Sequence, residues 1–200
     1  IVPSFYVEPG ESATERLAAF RARYPSAEYV VKPCVGAGSR DAARYADAQQ
    51  ATAVAHIARL LDAGRSVLLQ PYLDRVDDQG ETALLYFNGD YSHAIRKGPL
   101  LRPQSAPTEL LFATEDISAR TPDDTERALA SQVLTAMAQV PELSGMLPLP
   151  YARIDLLRDE QGLPCLLELE LTEPSLFFEY AEGSALRFAQ TLLGSQLPQR

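Results

Sequence analysis

The stretch that most restricts this chain is Tyr151–Thr172, where ionisable residues alternate with aliphatic ones on both sides of a turn: Arg153 and Asp155 with Ile154 and Leu156, Glu168 and Glu170 with Leu167 and Leu169. A period of two belongs to half-buried strands, so the segment predicts a hairpin. A turn on Gln161-Gly162 sets Arg153 opposite Glu170 and Asp155 opposite Glu168. Opposed residues share a face, with Cβ atoms roughly 5 Å apart. One face then carries four ions while the other supplies a core. Directly opposed carboxylates repel, and oxygen-only donors suit Mg²⁺ or Mn²⁺. A solvated acidic face accounts for these residues as well. Arg153 among the acids favours a metal-bound phosphate, because a guanidinium takes oxygens that the metal leaves.

At 200 residues and 46% hydrophobic content, the chain can bury one large core or two small ones. A net charge of −9 repels nucleic-acid phosphates, and no basic block offsets it. No apolar run approaches the roughly 20 residues of a bilayer span, and Ile1-Val2-Pro3-Ser4 lacks the features of a secretory leader. A cytoplasmic protein with neither membrane nor nucleic-acid partner is expected. Cys34 and Cys165 show neither disulfide nor zinc spacing and read as small buried hydrophobes.

Residues 1–7 read as a strand. Ser12 caps a helix to about Arg23, with Glu15 completing a capping box. Residues 28–33 form a strand that leads into the glycine-rich loop of Cys34–Asp41. A helix over about 49–63 and a strand over 66–70 follow, giving the order β-α-β-α-β. Asn88-Gly89 joins strands 81–87 and 90–96 as a two-residue hairpin, a register that faces Glu81 with Arg96. Pro99–Arg120 reads as a loop, a candidate substrate lid. Thr121 caps a helix over 122–139, and residues 183–193 close the chain as a helix.

Lys32 ends a strand beside Gly36, Gly38 and Ser39, where bare backbone N–H groups can wrap phosphate oxygens. An unliganded turn explains the glycines equally. Arg96 and Lys97 could neutralise a phosphate or a substrate carboxylate, although a surface ion pair with Glu81 accounts for Arg96 as well. His56 and His93 lack a partner nearby in sequence and read as structural or surface residues.

Taken in order, Val31-Lys32-Pro33 with Gly36-Ala37-Gly38-Ser39, then Gln70-Pro71-Tyr72-Leu73, then Arg153, Asp155, Glu168 and Glu170, the chain resembles the ATP-grasp superfamily over nearly its whole length. Ser92–Pro99 and Glu168–Ser175 look most similar to the glutathione-synthetase-like branch that includes the cycloserine-biosynthesis cyclo-ligase. The resemblance implies an α+β fold of two subdomains closing on a nucleotide, residues 1–73 with the adenine linker and residues 74–200 with the catalytic machinery. It implies ATP and Mg²⁺ (or Mn²⁺) as cofactors, Lys32 and its loop on the phosphates, and Gln70, Tyr72 and Leu73 as backbone positions around adenine. Glu81 would contact ribose, Arg153, Arg96 and Lys97 would be catalytic, and Asp155, Glu168 and Glu170 would hold metal. The implied reaction joins a small carboxylate to an amine, or closes a ring, through an acylphosphate. A nucleotide-binding module without ligase activity is the competing reading. Family members carry Asn more often at the position of Glu170, and here the extra charge calls for further Mg²⁺. They also carry an amino-terminal domain, expected upstream or on another polypeptide. The sequence leaves homo-oligomerisation open.

Overall fold

The computed structural model describes residues 1–36, 38–103, 116–143 and 145–195. The chain divides into two compact units, one built on Val2–Leu73 and the other on Asp74–Gly98 together with the chain from Asp116 onward. The first unit contains β1 (Phe5–Val7), α1 (Ala13–Arg23), β2 (Glu28–Pro33), β3 (Ala43–Ala46), α2 (Gln50–Asp62) and β4 (Val67–Pro71). Its antiparallel sheet has the order β1-β4-β2-β3. Leu17 and Phe20 of α1 and Ile57, Leu60 and Leu61 of α2 bury the helices against Val31, Val67 and Leu69 of that sheet. This is the i, i+3, i+4 spacing of an apolar stripe. Ser12 caps α1 through its hydroxyl, which accepts the Glu15 amide. Strand β3 went unread from sequence because it is short and follows the glycine-rich loop without an alternating run of its own.

The second unit contains α3 (Arg75–Gln79), β5 (Glu81–Phe87), β6 (Asp90–Lys97), β7 (Ile117–Arg120), α4 (Asp124–Met137), β8 (Tyr151–Arg158), β9 (Pro164–Glu170) and α5 (Ser184–Ser195). Its sheet has the order β7-β6-β5-β8-β9. Ala130 and Val133 of α4 pack on one face against Leu84, Ile154 and Leu156. Ala83, Leu85 and Ile95 on the opposite face meet Leu176, Phe177 and Tyr180. Both faces are therefore covered, and β8 is buried from Ala152 to Leu157.

Four expectations change. Asp123, not Thr121, caps α4; its carboxylate accepts the Glu126 amide while Glu126 reaches back to the Asp123 amide. Two acids in reciprocal bonds outcompete one hydroxyl. Ile117–Arg120 is a strand on the edge beside β6 rather than loop; residues 104–115 of the expected lid lie outside the described residues. Cys34 is exposed, and Cys165 is only partly covered. Finally, the β5–β6 register shifts between Leu85 and Tyr86, so that Glu81 faces Lys97 and Thr82 faces Arg96. Ser92 is the extra residue, and a bulge of this kind turns every later side chain of its strand to the opposite face.

Candidate active site

Arg153, Asp155, Glu168 and Glu170 share the face of the β8–β9 hairpin opposite α4, with Arg153 facing Glu170 and Asp155 facing Glu168. The register holds for a reason other than the one expected. Pairing near the turn is offset by one residue, and a bulge between Asp155 and Leu156 restores it, making Leu167 the extra residue. That bulge also lets Leu166 and Leu169 both reach the core under α4.

The charged face is not a solvated surface. Asp155 is 0% exposed, Arg153 6% and Lys97 7%. The Arg153 guanidinium donates to both Asp155 oxygens at 2.9–3.1 Å and to Glu170. Lys97 Nζ donates to Asp155 Oδ2 at 2.7 Å and to Glu81. Oxygens of Asp155, Glu168 and Glu170 lie within 4.8 Å of one another. Burial alone would raise the Asp155 pKa, but Lys97 and Arg153 outweigh it and hold the carboxyl below its ordinary value. Burial opposes charge on Lys97, yet Glu81 and Asp155 keep it protonated well above the lysine range. Glu81 and Glu170 are both pushed upward, first by burial and then by neighbouring carboxylates. Four carboxylates thus face two cations, and two of the four resist ionising. An all-oxygen donor set whose full ionisation is held back by burial and mutual repulsion fits a divalent ion such as Mg²⁺, which would relieve both.

Arg96, expected beside Lys97, does not join this cluster. Adjacent strand residues point to opposite faces, and Arg96 donates to the Gln79 carbonyl at 3.1 Å and pairs with Asp116 at 3.3 Å. It packs where Gly80 passes: a Cβ on Gly80 would lie 2.7 Å from Arg96 Nε, so Arg96 braces the turn into β5.

In the first unit, Lys32 lies on β2 opposite Leu68 of β4, and the loop of Gly36, Gly38 and Ser39 follows it. Gly38, Ser39 and Asp41 have φ of 61°, 58° and 59°; Ala37 lies outside the described residues. Arg65 ties the two ends of the loop, donating to Asp41 Oδ2 at 2.6 Å and to the Val35 carbonyl at 3.2 Å, while Arg59 donates to Asp41 Oδ1 at 2.8 Å. Hydrogen bonding from Arg59 holds the Asp41 pKa down despite partial burial. The Gln70 side chain turns inward to Ser4 Oγ at 2.9 Å. The Tyr72 amide donates to the Glu28 carbonyl at 3.0 Å, and Arg44 lies 3.6 Å over the Tyr72 ring. Leu73 ends the Val2–Leu73 segment of the unit.

No family model matches the chain. The cycloserine biosynthesis protein DcsG of Streptomyces lavendulae is 44% identical over 193 residues, covering 96% of this chain and 63% of that protein. The crystal structure of D-cycloserine synthetase DcsG superposes with a TM-score of 0.86 at 43% identity, covering 98% of this chain and 65% of that one. The ATP-grasp ligase PsnB, in a complex with a precursor variant, Mg and ADP, gives a TM-score of 0.61 at 17% identity over 98% of this chain and 54% of its own. The chain has the ATP-grasp fold. D-alanine–D-alanine ligase from Bacillus anthracis, complexed with ATP, shares the ATP-grasp fold at a TM-score of 0.61, with 14% identity over 96% of this chain and 57% of its own. The chain spans a little under two thirds of the length of the cycloserine protein it matches.

In each unit, several residues beside the candidate positions were not legible in sequence. Asp41, Arg59 and Arg65 meet only once α2 folds beside the loop. His93, read as a residue without a partner, bonds Ser92 and the Leu176 carbonyl. Its one sequence signal is its place beside the bulge at Ser92, which became readable only through the pairing.

Proposed function

We propose that the protein is an ATP- and Mg²⁺-dependent ligase that joins a small amino-acid-like carboxylate to an amine, or closes such a molecule into a ring. The observation that carries this reading is the convergence of Lys97 and Arg153 on Asp155 beside Glu168 and Glu170. Asp155, Glu168 and Glu170 would hold Mg²⁺, which when bound draws charge from phosphate oxygens. Lys32, with the backbone at Gly36, Gly38 and Ser39, would take nucleotide phosphates, and Gln70, Tyr72 and Leu73 would flank the base. Glu81, held by Lys97, would face the ribose.

Arg153 and Lys97 do the electrostatic work. Both are buried, both are charged, and both already point at carboxylate oxygens, so little reorganisation is needed when phosphate charge moves. A substrate carboxylate oxygen attacks the γ-phosphorus and ADP leaves. The amine then attacks the acyl carbon of the acylphosphate, and inorganic phosphate leaves with the former carboxylate oxygen. No side chain has to act as a nucleophile. The name of the cycloserine relative supports the ring-closing form with a small amino-acid-like substrate. The test uses the full-length protein with ATP, Mg²⁺ and a panel of such acids, adding hydroxylamine to trap the acylphosphate as a hydroxamate. Mg²⁺-dependent ADP release with hydroxamate formation is expected. Absence of both, together with no Mg²⁺-dependent binding of ATP, would overturn the reading.

A further inference from the structure

After the last carboxylate of β9, the chain turns back across the charged face of the sheet. Leu176, Phe177 and Tyr180 pack on Ala83, Leu85 and Ile95. Glu173 and Phe177 have φ of 48° and 49°, a left-handed conformation that non-glycine residues adopt only at a cost. The strap therefore needs bonds from outside itself. Two neighbouring carbonyls receive them: Ser175 O accepts from Arg153 Nη1 at 3.3 Å, and Leu176 O pairs with His93 Nε2 at 3.0 Å.

With a neutral ring, the hydrogen-bond directions admit one arrangement. A carbonyl only accepts, so His93 Nε2 carries a proton, and a neutral ring leaves Nδ1 as an acceptor. The Ser92 hydroxyl donates to Nδ1 at 2.9 Å. Arg187 of α5, which only donates, supplies Ser92 Oγ at 3.2 and 3.3 Å. His93 is 6% exposed, and burial holds its pKa below the usual histidine value, in keeping with a neutral ring. A chain of bonds therefore runs from Arg187 through Ser92 and His93 to the strap that Arg153 touches, and the Arg153 guanidinium also lies 5.6 Å from the Phe177 ring centre.

We propose that His93 is a positioning residue: by pinning the Leu176 carbonyl it fixes the strap and, through the adjoining Ser175 carbonyl, the orientation of the Arg153 guanidinium. The functional arm rests on the ligase reading, in which Arg153 meets phosphate. The structural arm does not.

The test takes the full-length protein, free of ligand, by ¹⁵N NMR. His93 should be neutral with its proton on Nε2. The Arg153 Nε–H should exchange about 10-fold faster in His93→Leu, because a strap released at Leu176 O no longer steadies the guanidinium through Ser175 O. It should stay near the parental rate in His93→Gln, whose amide can still donate to Leu176 O. Should His93→Leu fail to fold, Ser92→Ala, which frees the ring to turn, carries the same comparison. Binding of Mg²⁺ with the β,γ-imido analogue of ATP is then measured by calorimetry. His93→Leu should weaken it about 10-fold in the parent and by less than roughly 2-fold when Arg153→Lys is already present, because both changes act through one group. Unchanged Arg153 exchange, or losses that simply multiply, would overturn the proposal. A parent that does not bind the analogue overturns the ligase reading, and the exchange comparison alone then decides the role of His93.

Discussion

The three carboxylates of the acidic cluster carry different structural loads. Asp155 is fully buried between Lys97 and Arg153, so Asp155→Asn leaves two buried cations short of a counter-charge. A loss of about 3–5 kcal/mol in urea unfolding is expected. Glu168 is only partly covered, and Glu168→Gln should stay within about 0.5 kcal/mol of the parent while abolishing Mg²⁺-dependent ADP release. Parental turnover in Glu168→Gln would remove it from the site. In the first unit, His56 shares a hydrogen bond through Nδ1 with the Tyr45 hydroxyl at 2.9 Å, and burial lowers its pKa to about 4. An unfolded histidine titrates near 6.5, so the unfolded chain takes the proton first as pH falls. His56 therefore contributes stability above about pH 6.5 that is lost on the way down to about pH 4, roughly 3 kcal/mol in all. Glu81 works in the opposite sense, its raised pKa withdrawing stability as pH rises. The measurement is thus the difference between parent and His56→Leu across that window; a difference that does not change with pH would refute the assignment.

At the level of elements, two bulges determine which charges meet. Ser92 in β6 brings Lys97, rather than Arg96, opposite Glu81, and Leu167 in β9 carries the alternation from Leu166 in the core to Glu168 on the charged face. A consequence can be tested by changing chain length. Deleting Leu167 removes the bulge but leaves Glu168 opposite Asp155, so the protein should fold and keep Mg²⁺-dependent nucleotide binding. Inserting one alanine after Leu167 also removes the bulge, but it sets Leu167 opposite Asp155 and moves Glu168 opposite Arg153 on the same face. Near-parental stability with at least roughly 10-fold weaker Mg²⁺-dependent nucleotide binding is expected, read by urea unfolding and calorimetry. Undiminished binding would mean that the pairing of Glu168 with Asp155 does not matter to the site.

For the whole molecule, each of the two units carries its own core, and no helix among the described residues is long and apolar enough to cross a membrane. In the full-length protein, ATP with Mg²⁺ at 100 times its Kd should add about 2.7 kcal/mol of stability, visible as a rise in Tm that chelation of the metal abolishes. A Tm equally raised by ATP in excess chelator would detach the acidic cluster from nucleotide binding. Periodicity was enough for α2, β8 and β9, because burial leaves a local pattern wherever one face meets a core, and the Asn88-Gly89 turn located β5 and β6. The pairing of Asp155 with Glu168 was legible from the turn, although the bulge at Leu167, and not an unbroken register, delivers it. The short strands β3 and β7 were not, since pairing rather than pattern stabilises them. Nor could sequence place the two bulges, the counter-charges on Asp155, the Arg59–Asp41–Arg65 clamp or the bonds of His93. Those depend on which groups approach from distant parts of the chain, and the balance of desolvation against charge that makes Asp155 ionised and Glu81 reluctant exists only after they have met.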